Sequence, residues 1–168
     1  MNSGSSQLDI LNKIKSLGVF NCCDAPFLDM LSQQSQIQSL KKGQVLFVHE
    51  DSATRFYIVL NGWIKLFRET LDGTQAVVDI LNNDHIFGET AIFQDDLYPS
   101  SAEAAEAAEI ISLPLSLLKA EIENNSKLAL AMLSSMARFR RQQDQELEHR
   151  TIQNAPQRIG CFLLRLVH

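Results

Sequence analysis

The dipeptide Asn61-Gly62 constrains this chain most, because it stands between two β-prone runs, residues 56–60 and 63–67. Asn-Gly tolerates the left-handed backbone of a tight two-residue turn, and between such runs it predicts a β-hairpin. The second run alternates, with Ile64 and Leu66 on one face and Trp63, Lys65 and Phe67 on the other. Leu71-Asp72-Gly73-Thr74 reads as a second hairpin turn before a strand over residues 76–81, and Asn82-Asn83-Asp84 as a further turn. A shorter β-prone run, residues 45–48, comes after Lys41-Lys42-Gly43. Strand, turn and strand at this spacing predict an antiparallel sandwich or barrel.

On either side the apolar spacing becomes helical. Leu8, Leu11, Ile14 and Leu17 predict one short amphipathic helix. Residues 26–34 predict another, with Asp24 as cap and Pro26 in the first turn. Pro114 opens a third through Ile122, and Asn124-Asn125-Ser126 ends it, with Ser126 placed to cap the next helix. From Lys127 to about Thr151 there is no Gly or Pro, and Ala129, Met132, Leu133, Met136 and Leu147 recur at helical steps. A helix of that length spans roughly 37 Å. One small β domain cannot cover it, so its exposed stripe is expected to pair with a second copy, making a homodimer. Asn154 and Pro156 then open an amphipathic helix with Ile159, Phe162, Leu163 and Leu166, expected to be the truncated start of a further domain. The expected organisation is a sensor domain over 1–125, a dimerisation helix over 126–152 and that start over 153–168. Residues 101–109, rich in Ala and Glu, stay in conflict: local propensity favours helix, and their place within a β region favours strand.

Charge divides along the chain. Residues 1–137 carry 9 Lys/Arg against 17 Asp/Glu, whereas 138–168 carry 6 Arg and 3 acids. Phosphate-backbone affinity comes from Lys and Arg, so any basic partner surface is expected at or beyond the C-terminal end. Cys22, Cys23 and Cys161 make no disulfide framework, and no signal peptide or apolar membrane span is present in the sequence; a reducing cytoplasm fits. No nucleophile elbow, P-loop, dinucleotide fingerprint or zinc-protease motif occurs, and His49-Glu50 lacks the second His. Catalysis is not expected.

Three motifs in order carry a family resemblance: Lys42-Gly43-Gln44-Val45-Leu46-Phe47, then Phe56-Tyr57-Ile58-Val59-Leu60-Asn61-Gly62, then Phe87-Gly88-Glu89. Together they resemble the CRP/FNR transcription regulators, and Arg158-Ile159 with Phe162-Leu163-Leu164 resembles the opening of that family's DNA-binding domain. The resemblance implies a mainly β fold with α: an antiparallel β-roll of the cyclic-nucleotide-binding type, like a double-stranded β-helix or jelly roll, flanked by short helices and followed by the dimerisation helix. It implies an effector cassette at Gly88, Glu89, Thr90, Tyr98, Pro99, Ser100 and Ser101. Promoter DNA would be bound through a C-terminal domain, and RNA polymerase would be a partner of the full-length protein. A stand-alone domain regulating a partner protein is the alternative.

Members that bind cyclic AMP pair its phosphate with a cassette arginine. Here that stretch is Leu97-Tyr98-Pro99-Ser100-Ser101-Ala102, with no Arg between Arg68 and Arg138. A buried phosphate needs charge-assisted donors, so cyclic AMP is not the expected effector. Ser100 and Ser101 could donate hydroxyls or serve as turn residues. Three cysteines cannot supply the four-cysteine set of an iron-sulfur cluster. The cassette region is similar to the branch of nitrate-respiration regulators that sense nitric oxide through haem. That similarity offers His49 or His85 as axial ligand, and Met132, Leu133, Met136 and Phe139 as pocket wall and dimer helix. A turn position for each histidine and a core position for the wall residues are the plainer readings.

Overall fold

The computed structural model describes residues 3–70 and 72–152. Within them the β-prone runs become eight strands: β1 Gln36–Leu40, β2 Val45–Phe47, β3 Arg55–Asn61, β4 Ile64–Glu69, β5 Gln75–Leu81, β6 Ile86–Phe87, β7 Ser101–Ala104 and β8 Ala108–Pro114. They form two four-stranded antiparallel sheets, ordered β1-β8-β3-β6 and β2-β7-β4-β5. Pairing is nested, β4 with β5, β3 with β6, β2 with β7 and β1 with β8. This is the expected antiparallel roll.

The turns between strands divide into two kinds. The one after β4 is a true hairpin, pairing Glu69 with Gln75. Asn61-Gly62 is not: β3 and β4 lie in different sheets, so the turn is a corner between sheets. Gly62 has φ +85°, and a Cβ there would lie 2.5 Å from the Ala107 carbonyl oxygen. The corner is pressed against the turn between β7 and β8, where the Ala105 amide donates to the Trp63 carbonyl at 2.9 Å. Backbone placement at this corner therefore excludes a side chain as well as demanding a left-handed residue.

The same corner resolves residues 101–109 into strand, turn and strand. β7 is central in its sheet, pairing Glu103 with Val45 on one side and with Lys65 on the other. Ala102 and Ala104 are fully buried, where larger side chains would have to displace neighbouring strands. Helix propensity is worth a few tenths of a kcal/mol per residue, less than two ladders and a buried face.

Helices cover one sheet from outside. α1 (Ser3–Ser16) contacts β1, α2 (Ala25–Gln33) contacts β8, and α3 (Leu115–Asn124) contacts β3. Asp24 caps α2 as expected, its Oδ1 accepting from the Phe27 amide at 2.9 Å. The cap of α4 (Ser126–Ile152) falls one residue before the expected Ser126: Asn125 Oδ1 accepts from the Leu128 amide at 3.2 Å.

The chain divides into two compact units, 1–128 and 129–168. In the second, the described part is the continuation of α4, with Leu130 and Leu133 well exposed. Phe139's side chain and the expected helix over residues 158–167 lie outside what the structure describes. No helix among the described residues is long and apolar enough to cross a membrane.

Candidate functional site

The residues expected to form the effector cassette lie in the segment between β6 and β7. It starts at Gly88, whose φ of +82° turns the chain out of β6. A Cβ there would meet Tyr98 Cε1 at 3.3 Å and Tyr57 Cδ2 at 3.4 Å. A 3-10 turn, Glu89–Phe93, comes next. Asp95 and Asp96 are then both left-handed, at φ 54° and 58°. The strained pair is held from outside: Ala53's amide donates to the Asp96 carbonyl at 2.8 Å, and Lys119 Nζ on α3 reaches both Asp96 carboxylate oxygens at 2.9 and 2.6 Å.

Tyr98 closes the segment against the roll. Its hydroxyl donates to the Arg55 carbonyl at 2.7 Å, and its ring stacks on Phe47 with centroids 3.7 Å apart. Phe47 also stacks on Tyr57, and Tyr57 on Phe87. Burial pushes both phenols up, so both stay protonated, Tyr98 as a donor and both rings as apolar surface.

Glu89 behaves differently from a surface carboxylate. Part of the residue reaches solvent, but Oε2 is sealed and has no hydrogen-bond partner among the described residues. Loss of water around it pushes the carboxyl up to about 7. A buried acceptor without a donor fits a site that receives a donor from a ligand.

Of the remaining cassette residues, Thr90 is half-buried, and Ser100 and Ser101 are buried. Ser101 Oγ accepts from the His49 amide at 3.0 Å, and the Pro99 carbonyl accepts from Arg68 Nε at 2.7 Å. Sequence reasoning did not single out Arg68 as a site residue. The signal was present, since Arg68 continues the Ile64 and Leu66 alternation. That face is shared with buried Leu81 and Ala102 across the ladders, whereas Lys65 lies over the Phe67 ring on the other face.

The proposed haem ligands fit that group poorly. His85 is exposed, with Nδ1 at 3.0 Å from the Asn82 carbonyl in a turn. His49 is half-buried between exposed Val48 and Glu50. Neither offers the enclosed axial position that haem requires. On α4, Met132 is buried, Leu133 exposed and Met136 half-buried. Cys22 and Cys23 lie half-buried in the turn before α2, and Cys161 is outside the described residues. Burial, the Cys22 thiol and the Glu121 carboxylate push Cys23 up to about 12, which keeps it a thiol. Among the described residues no group of His, Cys, Asp and Glu could hold a metal ion.

Residues 37–125 match the cyclic nucleotide-binding domain family. The chain belongs to that family. It is 25% identical over 149 residues to a CRP-like cAMP-activated global transcriptional regulator of Mycobacterium tuberculosis, covering 89% of this chain and 66% of that one. It is 26% identical to a cyclic AMP receptor protein of Thermus thermophilus, covering 83% of this chain and 65% of the relative. The chain thus spans about two thirds of the length of these curated relatives. In fold it is similar to the sensor domain of the transcriptional regulator DNR from Pseudomonas aeruginosa, with TM-score 0.70, 23% identity, and 89% and 95% of the two chains covered. The segment between β6 and β7 is therefore the candidate cassette of this domain. Gly88 and Glu89 stand in its opening, and the stretch 97–102 holds no arginine where the resemblance implies one.

Proposed function

We propose that this chain is the effector-sensing and dimerisation region of a CRP/FNR-type transcription regulator that does not respond to cyclic AMP. The cassette stretch Leu97-Tyr98-Pro99-Ser100-Ser101-Ala102, which holds no arginine, carries this reading. Nothing in that stretch neutralises a phosphate monoanion, and an unpaired buried charge costs several kcal/mol. The regulator class is supported by the relatives from Mycobacterium tuberculosis and Thermus thermophilus and by a fold shared with a regulator's sensor domain.

In this reading α4 pairs with a second copy through a stripe containing Leu130 and Leu133, both exposed. Effector binding shifts the population of helix-pair arrangements, and so the spacing of two DNA-reading helices on promoter half-sites. The DNA-binding domain, the contact with RNA polymerase and a cytoplasmic setting belong to the full-length protein. Haem has no step in the proposal, because His49 and His85 lack an enclosed axial position.

Calorimetry with cyclic AMP is the test. Binding no tighter than millimolar is expected, and micromolar binding would overturn the reading. A second reading, a module that regulates a partner protein, is favoured by the 25% identity to the potassium channel SKOR of Arabidopsis thaliana over 100 residues. Sedimentation equilibrium separates the two, since a monomer at all concentrations favours the second.

A further inference from the structure

Three cations adjoin the cassette, and two are already committed. Arg55 Nε donates to Ser112 Oγ, and its Nη2 to the Ser112 and Gln34 carbonyls. Lys119 is held by both oxygens of Asp96. Arg68 is different. Its Nε donates to the Pro99 carbonyl, and its two terminal nitrogens have no protein partner among the described residues. The Pro99 bond fixes the base of the guanidinium at the cassette and leaves the fork open. Register sharpens the placement. Phe67 pairs with Ser101, so Arg68 stands opposite Ser100 at the end of the ladder, on the same face as Ile64 and Leu66. A second observation points to a ligand: the sealed Glu89 Oε2, an acceptor with no donor among the described residues.

We propose that Arg68, delivered from β4 rather than from the cassette, is the anion-binding residue of this pocket. The ligand is a small carboxylate or phosphate monoester, not a cyclic phosphodiester, that also carries a hydroxyl or amine donor for Glu89. The proposal rests on reading the cassette as the effector pocket. A guanidinium fork matches either anion with two parallel hydrogen bonds. Arg68 is exposed, so the attraction is screened and binding weakens as salt rises.

Ribose 5-phosphate and malate are the probes, each titrated into the full chain by calorimetry and by thermal shift. One of the two is expected to bind and to raise Tm, which also separates phosphate from carboxylate. Arg68→Gln weakens that binding about tenfold or more, and Arg68→Lys restores part of it. Both variants keep the ligand-free Tm, since the side chain is exposed. Oxyanion binding that survives Arg68→Gln overturns the Arg68 assignment alone. No response to either probe overturns the ligand class. Micromolar cyclic AMP binding that survives Arg68→Gln overturns both this proposal and the reading of the cassette on which it rests.

Discussion

Ile110 and Ile111 on β8 are both fully buried, whereas Val77 and Val78 on β5 are 56% and 45% exposed. Each pair is adjacent in sequence and lies within its strand. The apolar chemistry is nearly the same and the outcome is opposite. The difference lies outside the strands. The sheet containing β8 has the roll interior on one side and α1, α2 and α3 on the other. The sheet containing β5 has no such helical contact among the main packing partners, and β5 is its edge. At β3 and β8 the first sheet is scaffold, buried on both faces. The other is open at β5, and it carries β7, the end of the candidate cassette, and β4, which brings Arg68 to it.

The comparison can be broken most sharply at β8. Ile111→Ala removes a fully buried side chain paired with both Ile37 and Ile58, and a loss of about 2–5 kcal/mol is expected in urea denaturation. A loss well under that range would mean that the covered sheet is not the scaffold.

Glu89→Gln comes next. The folded carboxyl is raised from 4.5 to about 7, so the folded state holds its proton where the unfolded chain has lost it. That advantage is full below about 4.5, falls as pH rises to about 7, and is gone above. The cost of ionising the buried group is about 3 kcal/mol or less. Glu89→Gln should therefore be more stable than wild type at pH 8 and equal to it at pH 4, with this part of the pH slope removed. Parallel pH profiles for the two proteins would show that Glu89 is solvated.

The smallest effect is expected at the open sheet. Val78→Thr should change stability by less than about 0.5 kcal/mol, because the residue is exposed. A loss above that would show that something covers β5.

Local chemistry was legible wherever it acts alone. Asp24 announced the start of α2, the alternation in residues 63–67 gave the two faces of β4, and the absence of Gly and Pro after Lys127 announced α4. What depends on a distant partner was not. Asn61-Gly62 signals that the chain turns, yet not which strand will bond to which, so a corner read as a hairpin. β8 reads Ala-Glu-Ile-Ile-Ser-Leu-Pro, without alternation, because both of its faces are covered. β1 and β6 are too short and too polar or isolated to stand out. In the site, Gly88, Glu89 and Tyr98 were legible from motif order. Arg68 was not, because register rather than sequence distance brings it to Pro99.

The nested pairing also sets a timetable. β4 and β5 meet across a short turn, but Gln36 of β1 pairs with Ser112 of β8, 76 residues later. On the ribosome, the first strand must wait unpaired until nearly the whole roll has been made, at about 5–20 residues per second. The innermost hairpin can zip early, and each outer pair must close a longer loop. For several seconds of every synthesis, the nascent chain exposes Ile37 and Leu40 without their sheet, the interval in which a chaperone would have most to hold.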